Sequence, residues 1–204
     1  MTERIHHSIR EAILENSLRS GSLVSERDLA REFRVSKTPV REALIRLAQE
    51  GFVEISPRKG IFISPISVKE LKDVFGIRSA LEGLAAEEAV GRIRRETLVK
   101  LRKDFYAAAK AKDEERLFRL GVQLHDLIME ACDNKRLTSI VGTMRAQIAR
   151  YSKLASWLPE QAEVSLRDHL RIIRALERRV GTGARRAIEE HIHGVKENLI
   201  RSML

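Results

Sequence analysis

The chain has 204 residues, 43% hydrophobic, 33% charged and 4% aromatic, with a formal net charge of +9. This excludes a disordered chain and leaves room for one large or two small domains with their own cores. No apolar run approaches the ~20 residues that cross a bilayer, the charged opening MTERIHHSIREAIL lacks a secretory signal's apolar block, and the single Cys132 rules out an internal disulfide or a Cys-rich metal cluster.

A soluble cytoplasmic protein without a membrane partner is expected, and the basic excess points to a polyanion such as nucleic acid. Position matters more than the total. Residues 1–66 hold 11 basic and 9 acidic side chains, so most of the excess lies further on. The stretch Arg31 to Arg46 is nevertheless locally basic, with five Lys or Arg against Glu32 and Glu42.

In chain order, three helices are predicted first, at Glu3 to Asn16, Ser25 to Phe33 and Ser36 to Glu50. Ser25 ahead of Glu26 and Asp28, and Ser36 ahead of Pro39, are helix-start signals, because a side-chain oxygen can accept from an orphan amide and proline has no amide to lose. Gly51 stops the third helix. Phe52 to Ile63 then clusters β-branched and aromatic residues around Pro57-Arg58-Lys59-Gly60, which predicts a β-hairpin. Three helices and a hairpin make residues 1–66 a winged helix-turn-helix. Residues 67–204 carry helix-period apolar spacing in segments near 67–91, 95–112, 113–132, 134–157, 160–180 and 182–203. Breaks fall at Gly91, Asp113, Asp133-Asn134, Pro159 and Gly181-Thr182-Gly183, and the short connections favour an all-α antiparallel bundle. The fold class is therefore mainly α.

In the first unit, Leu29, Ala30, Phe33, Val35, Val40, Ala43, Leu44 and Leu47 are the positions that pack two helices together. Lys37, Thr38 and Arg41 are left facing outward at the start of the second helix, where a recognition helix reaches base edges in the major groove. Arg27, at the start of the preceding helix, is a natural backbone or base contact. The basic tip Arg58-Lys59-Gly60 can approach a minor groove or phosphate closely, since glycine has no side chain to hold it away.

In the second unit, periodicity sorts the histidines. His125, His169 and His191 each lie on the apolar side of a different helix, whereas His193 is about 200° round its helix from His191, and His6 and His7 belong to the first unit. Three imidazoles meeting inside a bundle leave acceptor nitrogens in need of donors, and such a set suits zinc, nickel or another borderline divalent ion with a position open for water or a ligand oxygen. Arg78, on the first bundle helix, and Arg145, beside the Val141, Met144, Ile148 stripe, are positioned to hold an organic anion beside such a metal.

The run Ser25-Glu26…Leu29-Ala30…Phe33…Val35-Ser36-Lys37-Thr38-Pro39-Val40-Arg41-Glu42-Ala43-Leu44…Leu47…Glu50-Gly51…Gly60 resembles the GntR superfamily of bacterial transcription regulators. Arg78…Glu82, Leu124-His125, Asn134, His169 and His191 make the second unit similar to the FCD ligand-binding domain of its FadR-type subfamily. The resemblance implies operator contacts at Arg27, Lys37, Thr38, Arg41 and Gly60, and a metal held by His125, His169 and His191. Two departures stand out: Lys37 replaces a more usual arginine, and Gly121 stands where the metal-binding branch usually has an aspartate. The second leaves open a weaker site, a site completed by water or an effector carboxylate, or no metal.

The expected function is a homodimeric, sequence-specific regulator of double-stranded operator DNA, a repressor and not an enzyme, modulated by a small carboxylate bound in the helical domain. A three-histidine metal hydrolase or lyase with a DNA-binding head is the alternative; no general base, nucleophile elbow or phosphate loop accompanies the histidines to support it. A purely structural helical bundle on an architectural DNA head is the third reading.

Overall fold

The computed structural model describes residues 1–14, 17–64, 67–156, 158 and 160–203. The predicted helix end at Asn16, the unit boundary at Pro65 and Ile66, and the break at Pro159 lie outside them. The chain forms two units, one of residues 1–67 with 146–150, the other of residues 68–145 and 151–204.

The first unit contains α1 (Thr2–Leu14), β1 (Leu23–Val24), α2 (Glu26–Glu32), α3 (Lys37–Gln49), β2 (Val53–Ser56) and β3 (Gly60–Ile63). Ile5, Ile9 and Ile13 repeat every four residues along α1, so they share one face. They are buried with Leu29 and Ala30 of α2, Val40, Ala43, Leu44 and Leu47 of α3, and Phe52, Val53 and Ile63. Each fully buried side chain of this size contributes roughly 1.5–3 kcal/mol. Polar ties fix α1 along α3: Thr2 donates to Glu42, Arg46 to Glu3, and His6 Nε2 lies 2.9 Å from Glu50. The α2 start is as predicted, with the Ser25 hydroxyl accepting from the Asp28 amide at 3.2 Å. The turn into α3 places Arg34 at φ 55°, a left-handed position that costs a residue with a Cβ roughly 1–2 kcal/mol.

The sheet runs β1-β3-β2, antiparallel throughout, with Val53 opposite Ile63 and Ser56 opposite Gly60. Its hairpin tip is a turn closed by Lys59 N–H to Ser56 C=O at 3.2 Å, with Pro57 second and Arg58 third at φ 68°. That pattern belongs to type II turns, in which the third residue needs positive φ. Gly60 follows at φ 117°, and a Cβ there would lie 2.7 Å from Leu23 Cδ1. Glycine at 60 therefore has a local reason, set by the backbone and by β1. Sequence periodicity missed β1 because two residues cannot display an alternation.

The second unit contains α4 (Val68–Ala89), α5 (Arg95–Lys110), α6 (Glu114–Ala131), α7 (Lys135–Thr143), α8 (Arg145–Ser156), α9 (Gln161–Glu177) and α10 (Gly181–Met203), of which residues 146–150 of α8 fall to the first. Helix α10 packs along α4 and α9, and α6 packs against α4, α5 and α9. Leu124, Ile128, Phe105, Ile172, Ile173, Ile188 and Ile192 are buried between them. Two expectations change. The segment predicted at 134–157 divides at Met144, whose φ of −103° and ψ of 4° leave the helical range. Gly181 and Gly183 do not break the chain; they lie in the first turn of α10, and the break falls at Arg179, with φ 56°.

Among the described residues no helix is long and apolar enough to cross a membrane.

Candidate functional site

The α3 N-terminus opens on Ser36, whose side chain makes no cap hydrogen bond, so the first-turn amides keep their donor capacity. Lys37 and Thr38, in the first turn, are exposed, as are Arg27 on α2 and Lys59 at the hairpin tip, while Gly60 is half-buried. Arg41 is exposed too, yet its guanidinium is engaged: Nε donates to Glu26 Oε1 at 2.9 Å and Nη2 to Oε2 at 3.0 Å. That hydrogen-bonded pair raises the Arg41 pKa and lowers that of Glu26. The candidate DNA residues thus occur on α2, the start of α3 and the wing, with one arginine already ordered by a carboxylate.

In the second unit, α6, α9 and α10 each contribute one inward histidine. The rings of His169 and His191 are 4.5 Å apart between centroids, those of His125 and His191 5.3 Å, and those of His125 and His169 5.7 Å. One ligand nitrogen from each lies within 4.8 Å of the others. Phe105 of α5 lies against His169 at 5.4 Å. Gly121, one turn before His125, lies beneath the His169 ring: a Cβ there would be 2.5 Å from Cε1, 3.1 Å from Nε2 and 3.3 Å from Nδ1. An aspartate at 121 cannot coexist with this histidine pose; glycine there lets the His169 ring lie directly against α6.

Two buried carboxylates back the imidazoles. Glu82 of α4 lies 2.5 Å from His125 Nδ1, and Asp168 lies 3.6 Å from His191 Nδ1, too long for a hydrogen bond. Arg78, one helical turn before Glu82, donates from Nε to Glu82 Oε1 at 2.7 Å and from Nη1 to Ser152 Oγ at 3.2 Å, and its Nη2 lies 3.4 Å from His125 Nδ1. Burial alone would raise the Glu82 carboxyl, but the charges of Arg78 and His125, with hydrogen bonds from both, hold it down at about 2. An ionised carboxylate only accepts, so the Nδ1 of His125 that faces Glu82 carries a proton, and in the neutral ring the lone pair is then on Nε2. That Nε2 is buried and has no hydrogen-bond partner, and neither has His191 Nδ1.

Burial also pushes His169 well below the usual imidazole range, helped by His191, His125 and Arg78. His191 is pushed down to about 4, chiefly by burial and against the pull of Asp168. Both rings are therefore neutral at pH 7 and have lone pairs to offer. Three imidazole nitrogens within 4.8 Å of one another, one of them an orphaned buried atom, fit a borderline divalent ion.

The structure thus brings His125, His169, His191 and Arg78 together. It does not bring Arg145, whose exposed side chain pairs with Asp126 at 3.2 Å. The division at Met144 is the reason: α8 starts at Arg145 and resets the phase on which the stripe with Val141 was drawn. Exposed His193 stands apart as expected, 3.4 Å from Lys196. Sequence reasoning left Glu82, Asp168, Ser152 and Phe105 out of the site, and Glu26 out of the DNA-facing set. Only the four-residue spacing of Arg78 and Glu82 signalled any of them.

Residues 1–63 match the family model "Bacterial regulatory proteins, gntR family", and residues 73–194 match that of the FCD domain. The HTH-type transcriptional repressor RspR of Escherichia coli (strain K12) is 27% identical over 202 residues, covering 98% of this chain and 89% of that protein. The gluconate operon transcriptional repressor of Bacillus subtilis (strain 168) is 29% identical over 146 residues, covering 70% of this chain and 59% of that protein. Among solved structures, E. coli McbR/YncC superposes with a TM-score of 0.77 at 19% identity, covering 100% of this chain and 98% of that one, a likeness of fold.

Proposed function

The chain belongs to the gntR family of bacterial regulatory proteins and carries an FCD domain, and from that membership we propose that it is a cytoplasmic, homodimeric repressor whose grip on operator DNA responds to an organic acid bound at a three-histidine metal centre. Its families and relatives are transcription regulators, so the chain is a DNA-binding regulator and not an enzyme. Repression is supported by relatives that are named repressors.

In this reading Lys37, Thr38 and Arg41 meet base edges or flanking phosphates in the major groove, Arg27 meets the backbone, and Lys59 with Gly60 carries the wing contact. Lysine at 37 acts as a point charge and cannot supply an arginine's two-pronged contact to guanine. A homodimer has two reading heads, so its operator is pseudo-palindromic.

His125, His169 and His191 would hold the metal, which supplies a Lewis-acidic position for a carboxylate oxygen. The chain's own groups do the rest. Glu82 orients His125 through Nδ1–H, Asp168 stands beside His191, and Arg78 places a buried positive charge at the same point, its Nη1 held by Ser152. The observation that carries the reading is the buried, donorless Nε2 of His125 within this three-helix cluster. For regulation, the ligand must bind the DNA-competent arrangement and its alternative unequally; tenfold inequality is about 1.4 kcal/mol.

The test is fluorescence anisotropy with a duplex enriched from a randomised pool and a scrambled duplex at matched salt, with zinc or chelator present and with small carboxylates added singly. Preference for the enriched duplex that changes with zinc plus one carboxylate is expected. Equal affinity for both duplexes refutes the DNA reading, and a preference indifferent to zinc and to every acid refutes the sensor.

A further inference from the structure

The N-terminal unit has a carboxylate in an unexpected place. Glu26 sits in the first turn of α2, anchored by the Ser25 cap, and reaches across to the recognition helix α3. A negative charge beside a surface that must approach phosphates opposes binding unless it acts through something else. It adds little to folding either, since ion pairs with an exposed partner contribute little to stability, and Arg41 is 65% exposed.

The pair's geometry supplies the something else. Both oxygens of Glu26 are taken by Arg41, through Nε and Nη2, which form one edge of the planar guanidinium. That leaves one N–H of Nη1 and the second N–H of Nη2 side by side on the end-on edge, the other Nη1 N–H being turned back towards the aliphatic stem. Two parallel donors on that edge match O6 and N7 of a guanine in the major groove. Glu26 is itself the more enclosed partner, at 21% exposure, so it serves as the fixed half and Arg41 as the half it aims.

We infer that Glu26 is a specificity-determining positioning residue that holds Arg41 with its end-on edge presented to one guanine in each operator half-site. This rests on the DNA-reading function proposed above. Pre-ordering the side chain removes an entropy loss that a free arginine meets on binding, and it removes the alternative poses in which Arg41 would grip any nearby phosphate. Glu26 thus converts a non-specific cation into a base reader.

The experiment compares wild type, Glu26→Gln, Arg41→Lys and the double variant against three duplexes at matched salt: the one that wild type enriches from a randomised pool, that duplex with each guanine replaced in turn, and a scrambled control. Glu26→Gln is expected to lower the ratio of enriched to scrambled affinity about tenfold, with the loss confined to one guanine position per half-site and scrambled affinity unchanged or higher. Arg41→Lys should lose the same position, and the double variant should be no worse than Arg41→Lys alone, because Glu26 acts only through Arg41. If Glu26→Gln fails to fold, as thermal unfolding would reveal, Glu26→Asp decides, because its shorter stem keeps the charge and draws Arg41 out of place: loss at the single guanine that Arg41→Lys also loses supports the inference, and loss spread over all positions or none at all overturns it. Proportional changes on all duplexes, or additive effects in the double variant, also overturn it while leaving the DNA reading intact. A wild-type protein that enriches no duplex overturns both.

Discussion

Placing one methyl group at Gly121 tests the histidine centre through packing. The new Cβ would lie 2.5 Å from His169 Cε1, and ordinary contact begins at 3.4 Å, so the ring must retreat by about 0.9 Å. Phe105 stands against the ring at 5.4 Å and His191 at 4.5 Å, which leaves little room for retreat. Overpacking of this kind costs about 1–3 kcal/mol, while glycine to alanine inside a helix gains about 1 kcal/mol. The net for Gly121→Ala is a loss of about 0–2 kcal/mol. Gly194, in α10, is the internal control, because a Cβ there meets nothing within 4 Å. Gly194→Ala should gain about 0.5–1 kcal/mol and raise Tm by about 1–4 °C. Calorimetric titration with zinc completes the comparison: Gly121→Ala should weaken binding at least about tenfold by displacing one ligand ring, and Gly194→Ala should leave it unchanged. If both variants gain stability alike and bind zinc alike, His169 does not lie over Gly121 and the arrangement of the centre is wrong.

With chelator present, stability should be greatest above about pH 6.5 and fall towards pH 4, because the unfolded chain binds protons on His191 and His169 over that interval and the folded one does not; the His191 share should be about 3 kcal/mol, so the loss should shrink but persist in His191→Phe, as read by urea unfolding across pH. A flat profile in wild type contradicts the buried, neutral ring. Glu82→Gln leaves Arg78 buried without its counter-charge and should cost about 3–5 kcal/mol by the same assay, with Glu82→Gln combined with Arg78→Met less damaging than Glu82→Gln alone; a cost below about 1 kcal/mol would remove the ion pair from the site. In the first unit, Leu47→Ala should lose about 2–5 kcal/mol because Leu47 is fully buried, and an unchanged Tm would contradict the core assignment.

Much of the fold is legible because its signals are local. The Ser25 cap, Pro39 in the first turn of α3 and Gly51 at φ 77° after it are one-residue signatures, and the apolar repeat of α2 and α3 names its own core. Helix ends in the second unit are harder to see. The chain turns left-handed at Lys112, Asp133 and Arg179, where lysine, aspartate and arginine adopt a conformation usually given to glycine. The glycines at 181 and 183 mislead because they are absorbed into α10, with Ala184 N–H bonded back to Val180 C=O. No glycine or proline at Met144 announces the break there.

The site divides in the same way. Each histidine's inward position follows from its helix period, so the cluster could be read before the fold was known. The carboxylates could not, because their roles come from neighbouring helices. Asp168 is turned about 100° from His169 on α9, and that turn carries it beside His191 of α10. Glu82 shows its spacing to Arg78, but its contact with His125 spans 43 positions of sequence. The Glu26 contact with Arg41 likewise joins two helices 15 residues apart.

The most direct measurement of the central claim is zinc affinity determined twice, on the free protein and on the protein saturated with its enriched duplex, in the presence of the carboxylate that shifts binding. Coupling between two sites is reciprocal, so whatever factor the loaded centre applies to DNA affinity must reappear as the factor that DNA applies to zinc affinity. The account predicts equal factors in both directions and their disappearance in His125→Ala. Identical zinc affinity with and without DNA, or a factor that persists in His125→Ala, would contradict a sensor built on this centre.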